Sequence, residues 1–139
     1  MSDTQQAQAP ANAPPIGGLV TYLNVDGVTK AVDLYGRAFG ATVAAIMPPD
    51  DKGRTMHAHL HINGASLMLS DFFPEHGHAA VKPQGFSLVL MVDDIEAAYR
   101  KAVDAGCTGA QPPQKMFWGD TFGMVRDPFG VEWGMNQGA

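Results

Sequence analysis

Met56-His57-Ala58-His59-Leu60-His61-Ile62 is the stretch on which the fold turns. It alternates without a break, and successive side chains on a strand point to opposite faces. It therefore predicts a strand with His57, His59 and His61 on one face and Met56, Ala58, Leu60 and Ile62 on the other. The apolar face should pack on a core. The imidazole face needs water, a ligand or a metal. Neutral imidazole ligates Zn, Ni, Cu and Fe, so three of them two residues apart are candidate ligands. The alternative is that they are polar side chains lining a solvated groove. Asn63-Gly64 follows, a strong hairpin signal, and residues 65–70 read as the returning strand.

Upstream, residues 19–25 alternate as a strand. Val28, Ala31, Val32, Tyr35, Ala38 and Phe39 then fall on one helical stripe, with Asp26 as N-cap and Gly40 as the stop. Residues 42–47 predict another strand, ended by Pro48-Pro49. Downstream the order restarts. Residues 85–92 read as a strand, Asp93 and Asp94 offer caps, and Ile95, Ala98, Tyr99 and Ala102 repeat the helical stripe up to Gly106. Val25, Val28, Ala31, Val32 and Tyr35 recur at constant offset as Val92, Ile95, Ala98, Tyr99 and Ala102. Residues 114–118, 121–126 and 131–136 complete a second copy, with a turn at Asp127-Pro128-Phe129-Gly130. This is an internal repeat of strand, helix and three strands.

Such a repeat implies an α+β fold: two tandem βαβββ modules, about residues 16–73 and 84–139, forming one curved mixed sheet around a cleft with helices outside. Clefts of this kind favour small ligands. Parity places Leu23, Val25, Ala58, Leu60, Ile62, Leu67, Leu69, Leu88, Leu90, Val92, Trp133 and Met135 on the helix side. Tyr22, His57, His59, His61, Ser66, Met68, Ser70, Ser87, Glu132 and Gly134 then face the cleft.

Composition sets the outer bounds. The chain has 139 residues, is 45% hydrophobic and 17% charged, and carries a net charge of −5, an ordinary globular profile. Its nine Lys and Arg are scattered singly, which argues against nucleic acid and anionic membranes as partners. A single cysteine, Cys107, excludes an intrachain disulfide, fits the cytoplasm, and reads as a packed thiol. Residues 1–15, rich in Ala, Gln and Pro, read as a disordered tail rather than a signal peptide. No apolar run approaches the roughly 20 residues of a membrane span.

Other residues carry weaker signals. His76-Gly77-His78 sits in a loop and reads as solvated. Trp118 is a candidate ligand platform or a packed ring, whereas Trp133 falls at core parity. Ser70-Asp71 lacks the strained elbow of a nucleophile. Glu132 and the acidic balance suit a cationic ligand, with a surface carboxylate as the alternative. No strand–GxGxxG–helix suited to a nucleotide-like cofactor is present, so no cofactor is expected.

The repeat, VDLYGRAFGA at the first helix, HAHLHINGASLMLSD, GFSLVL and the ending FWGDTFGMVRDPFGVEWGMN resemble the vicinal-oxygen-chelate superfamily of glyoxalase I, extradiol dioxygenases and bleomycin resistance proteins. The ending is similar to the PhnB-like branch, also called demethylubiquinone methyltransferase-like. The resemblance covers about residues 19–136. It implies paired βαβββ modules, a homodimer and, in metal-using members, four ligands on the first and last strands of each module. Those points fall here on Val20, Met68, Ser87 and Gly134, none of which is the His, Glu or Gln required. The expectation is a metal-free protein binding a small molecule through Tyr22, His57, His59, His61, Met68, Ser87, Trp118 and Glu132, with no catalytic residue assigned. The alternative is a lyase, isomerase or dioxygenase using a non-standard histidine metal site.

Overall fold

The hairpin at Asn63-Gly64 forms as its residues require. Both adopt positive φ, 51° and 79°, the twist that joins two strands through two residues. Around it, a computed structural model describes residues 16–139; the expected tail, residues 1–15, lies outside them. The order is β1 (Thr21–Asn24), α1 (Val28–Phe39), β2 (Thr42–Ile46), β3 (Ala58–Ile62), β4 (Ala65–Ser70), β5 (Leu88–Met91), α2 (Ile95–Ala105), β6 (Thr108–Lys115), β7 (Thr121–Arg126) and β8 (Glu132–Gln137). This is two βαβββ modules in tandem, an α+β fold. None of the described helices is long and apolar enough to cross a membrane.

The described residues divide into two compact units, residues 16–36 with 40–81 and residues 37–39 with 82–139. The first unit holds a four-stranded mixed sheet in the order β1-β4-β3-β2, the second one in the order β5-β8-β7-β6. The outer first strand of each is parallel to its neighbour, as β1 is to β4 and β5 to β8.

In the first unit Leu23, Ala58, Leu60, Ile62, Leu67 and Leu69 are buried, as their parity requires. Along α1, Val28, Ala31, Leu34, Tyr35 and Ala38 are buried in turn. Gly40, at φ 75°, ends the helix by donating to the Gly36 carbonyl at 3.1 Å. Asp26 does not cap it. The N-cap is Gly27, and the capping carboxylate comes from Asp71 just beyond β4. Asp71 accepts from the Gly27, Val28 and Thr55 N–H groups at 2.8, 3.2 and 2.7 Å. The second unit repeats the device, with the Gln137 amide oxygen accepting from Ile95 N–H at 2.7 Å. Here the expected cap also holds: Asp94 accepts from Ala97 N–H.

The second unit packs α2 on β6, β7 and β8. Trp133 is buried at core parity, and its indole N–H donates to Asp127 at 3.0 Å. Phe39, at the end of α1, belongs to this unit and lies 4.4 Å from the Trp133 ring. Cys107 is buried, and burial, then the charge of Asp127, pushes its thiol up to about 11.

Several bounds differ from the sequence expectation. The expected strand at 114–118 instead runs over Thr108–Lys115, through Pro112-Pro113. It is an edge strand with two register shifts against β7, and prolines are tolerated at such an edge. Trp118 therefore sits in the turn after β6. β3 begins at Ala58, leaving Met56 57% exposed rather than on the core face. Ser87 and Val20 fall just ahead of β5 and β1.

Candidate functional site

The three histidines share one face of the first sheet. The β3–β4 register sets His59 opposite Met68 and His61 opposite Ser66, and the parallel β1–β4 pair sets Tyr22 beside Met68. Residues directly opposite on adjacent strands share a face. Tyr22, His57, His59, His61 and Met68 are thus brought together, with Ser66 and Ser70 among them.

Their polar atoms are only partly matched. The Tyr22 hydroxyl lies 3.2 Å from His57 Nδ1. His59, buried, has its Nε2 2.9 Å from the Ser66 hydroxyl. The His59 and His61 rings meet edge to face at 5.2 Å. His61 Nε2 is enclosed yet has no hydrogen-bond partner among the described residues. Tyr22 is half exposed and His57 part-exposed, so these two form the open margin of the face.

The electrostatics follow from the crowding. Burial lowers the affinity of His57 for a proton. Burial does the same to His59, reinforced by the neighbouring charges of His61 and His57. Burial raises the Tyr22 phenol, against a smaller opposite pull from the Ser70 hydroxyl. At pH 7 the face therefore presents neutral His57 and His59 beside a protonated phenol. Each can donate or accept one hydrogen bond at each polar atom.

Ser87, Trp118 and Glu132 belong to the second unit. Ser87 is exposed ahead of β5. Trp118 is half exposed, its ring edge-on to Phe117 at 4.9 Å. Glu132 accepts from Arg126 at 2.8 Å, and both line a cavity of about 280 Å³ with Lys82, Pro83 and Phe86. His76 lies in a short 3₁₀ turn, and both His76 and His78 are exposed.

The points that the resemblance assigns to a metal do not fit one. Val20 offers hydrocarbon, Met68 a thioether, Ser87 an exposed hydroxyl and Gly134 nothing. A Cβ at Gly134 would stand 2.8 Å from the tip of the Phe122 ring, so that point is filled as well as ligand-free. Among the described residues, no group of three or more His, Cys, Asp or Glu is arranged to hold a metal ion. The histidine row is not such a group: Ser66 engages His59 Nε2 and Tyr22 engages His57 Nδ1.

Residues 17–135 match the family described as the Glyoxalase/Bleomycin resistance protein/Dioxygenase superfamily. The chain belongs to this superfamily. It is 35% identical over 125 residues to the uncharacterized protein Mb0911c of Mycobacterium bovis, covering 86% of this chain and 82% of that one. Among solved structures, protein PA1353 from Pseudomonas aeruginosa is 32% identical with a TM-score of 0.71, covering 86% of this chain and 96% of that one. A Bacillus cereus PhnB protein, described as a putative 3-demethylubiquinone-9 3-methyltransferase, shares the fold at a TM-score of 0.67 and 19% identity, covering 87% of this chain and 99% of that one.

The sequence placed Ser66 on the right face, though nothing marked it as the partner of His59. Phe122 was missed. Its signal lies in the register, where Phe122 and Gly134 are diagonal neighbours across β7 and β8.

Proposed function

We propose that this superfamily member binds a small molecule without a divalent metal, and that the ligand rests on the imidazole face of the first sheet. The observation that carries the reading is the row of His57, His59 and His61 with Tyr22 at its open margin, where His61 Nε2 has no partner. A buried polar atom left unpaired costs about 1–3 kcal/mol, and a ligand that supplies the missing bond recovers that cost. A turn of the His61 ring about χ2, a soft two-fold torsion, exchanges its nitrogens for carbons and brings a polar atom toward such a ligand. Met68 supplies an apolar contact on the same face. The matching ligand carries oxygen atoms able to take imidazole N–H or give to an imidazole nitrogen. The whole reading includes a homodimer, because β1 and β5 are edge strands, and Leu19, Val89 and Met91 are exposed.

The test is calorimetric titration of small oxygen-bearing aromatics, phenols and benzoates first, against the wild-type protein and His59→Leu. At least one should bind the wild type at pH 7.5, lose affinity as the pH falls to 5, and fail to bind the variant. For a phenol the pH sense follows because protonated His57 and His59 offer no lone pair to its hydroxyl, whereas an anionic benzoate should bind more tightly as they charge. Equal affinity of wild type and variant would remove the imidazole face from the reading.

A further inference from the structure

In the first unit the β2–β3 loop meets the segment that follows β4, where Asp71 N–H donates to the Thr55 carbonyl at 2.9 Å. Between them lies a cavity of about 330 Å³ that shares no lining residue with the imidazole row. A clasp fixes its walls. Arg54 donates to both Glu75 oxygens, at 3.0 and 2.7 Å, and through Nε to Asp50 at 3.1 Å, and its guanidinium lies 4.5 Å over the Phe73 ring. The other Asp50 oxygen accepts from the Lys52 and Arg54 amides at 2.9 and 2.8 Å. Both carboxylates are therefore occupied. They outnumber the guanidinium, which leaves the cavity one negative charge in excess.

The donors left over are soft. Met47 and Met56 line the cavity from the two arms of the hairpin. They are 38% and 57% exposed, although a thioether ordinarily fills gaps in a core. His76 lines it from the other side. Its 3₁₀ turn is closed by Gly77 N–H donating to the Pro74 carbonyl at 3.0 Å and is tied down by Glu75. The imidazole meets the Phe73 ring at 6.2 Å and makes no side-chain hydrogen bond among the described residues.

We propose that this cavity is a site for a soft monovalent cation, Cu(I), held by the Met47 and Met56 sulfurs and a ring nitrogen of His76. Thioether and imidazole donors select Cu(I), whereas Zn(II) takes thiolate, imidazole and carboxylate oxygen. Here the carboxylate oxygen is committed to Arg54. Three neutral donors and one excess negative charge match a single positive charge. Both methionines turn on three rotatable bonds, so their sulfurs can converge on an ion beside the fixed His76 turn. The site is separate from the imidazole face, and its failure would leave that reading as it stands.

The experiment is an anaerobic titration of the full chain with Cu(I) against the competitor bicinchoninate. The wild type should hold one equivalent, and so should Cys107→Ala, since that thiol is buried. Met47→Leu/Met56→Leu, which keeps side-chain volume, and His76→Ala should each weaken binding at least about tenfold. Ag(I) should shift the methyl NMR signals of Met47 and Met56. No Cu(I) held against the competitor, unchanged affinity in Met47→Leu/Met56→Leu, or loss of binding in Cys107→Ala would overturn the proposal. Tighter retention of Zn(II) than of Cu(I) would do the same. So would an ion lost in His57→Ala/His59→Ala and retained in His76→Ala, which would place it on the imidazole row.

Discussion

Replacing His59 with Leu separates a ligand-facing histidine from a core one. The imidazole makes one hydrogen bond, to the Ser66 hydroxyl at 2.9 Å. Its loss costs about 1 kcal/mol net, and the buried Leu side chain offsets part of that by apolar contact. At pH 7.5 the variant should stay within about 1.5 kcal/mol of the wild type. The pH dependence is the sharper signature. His57 and His59 have folded-state proton affinities below their unfolded values, chiefly through burial. Below their ordinary value of 6.5, the unfolded chain binds more protons than the folded one, so stability falls as the pH drops. Above it this contribution is fully present. His59→Leu removes one of the two groups and the charge it places beside the other, so the loss of stability between pH 7 and 5 should shrink. Urea unfolding at several pH values measures both effects. A variant several kcal/mol less stable at pH 7.5, the scale of core disruption, would show that His59 is structural.

Further outcomes concern the scaffold. Asp71→Ala strips the acceptor from three N–H groups and should cost about 3–6 kcal/mol in urea unfolding; a change near zero would mean water replaces the carboxylate freely. Cys107, buried with its thiol pushed up to about 11, should resist iodoacetamide at pH 8 in the native protein and react once unfolded in urea, and rapid native labelling would contradict its packing. Sedimentation should give a dimer of the 14.8 kDa chain at micromolar concentration, and a monomer throughout that range would refute the proposed assembly.

Much of the fold was legible because alternation and helical stripes act locally. Strands 65–70 and 121–126 were read to their bounds, and the faces of β3 follow parity from Ala58 to Ile62. The misses are non-local or concern edges. β6 carries Pro112-Pro113 and Gly109, signs of a loop, yet its pairing to β7 holds it extended. Asp26 looked like a cap because it precedes the helix, whereas the acting carboxylate is far along the chain. At the site, the histidine row was visible as a pattern. The unpartnered His61 nitrogen and the Phe122–Gly134 contact were not, since both depend on which strand lies next to which.

The two helix caps have a consequence for the order of events during synthesis. The first turn of α1 is closed by a residue 43 positions later, and that of α2 by one 42 positions later. The Val28 amide of α1 and the Ile95 amide of α2 therefore leave the ribosome open to water, and they stay so until the end of the same module arrives, although α2 has a local cap in Asp94. Closing such a long loop costs entropy before the bond returns anything. A nascent module is thus fastened by its final residues, and a fragment stopping before residue 71 lacks the fastener of its own opening turn.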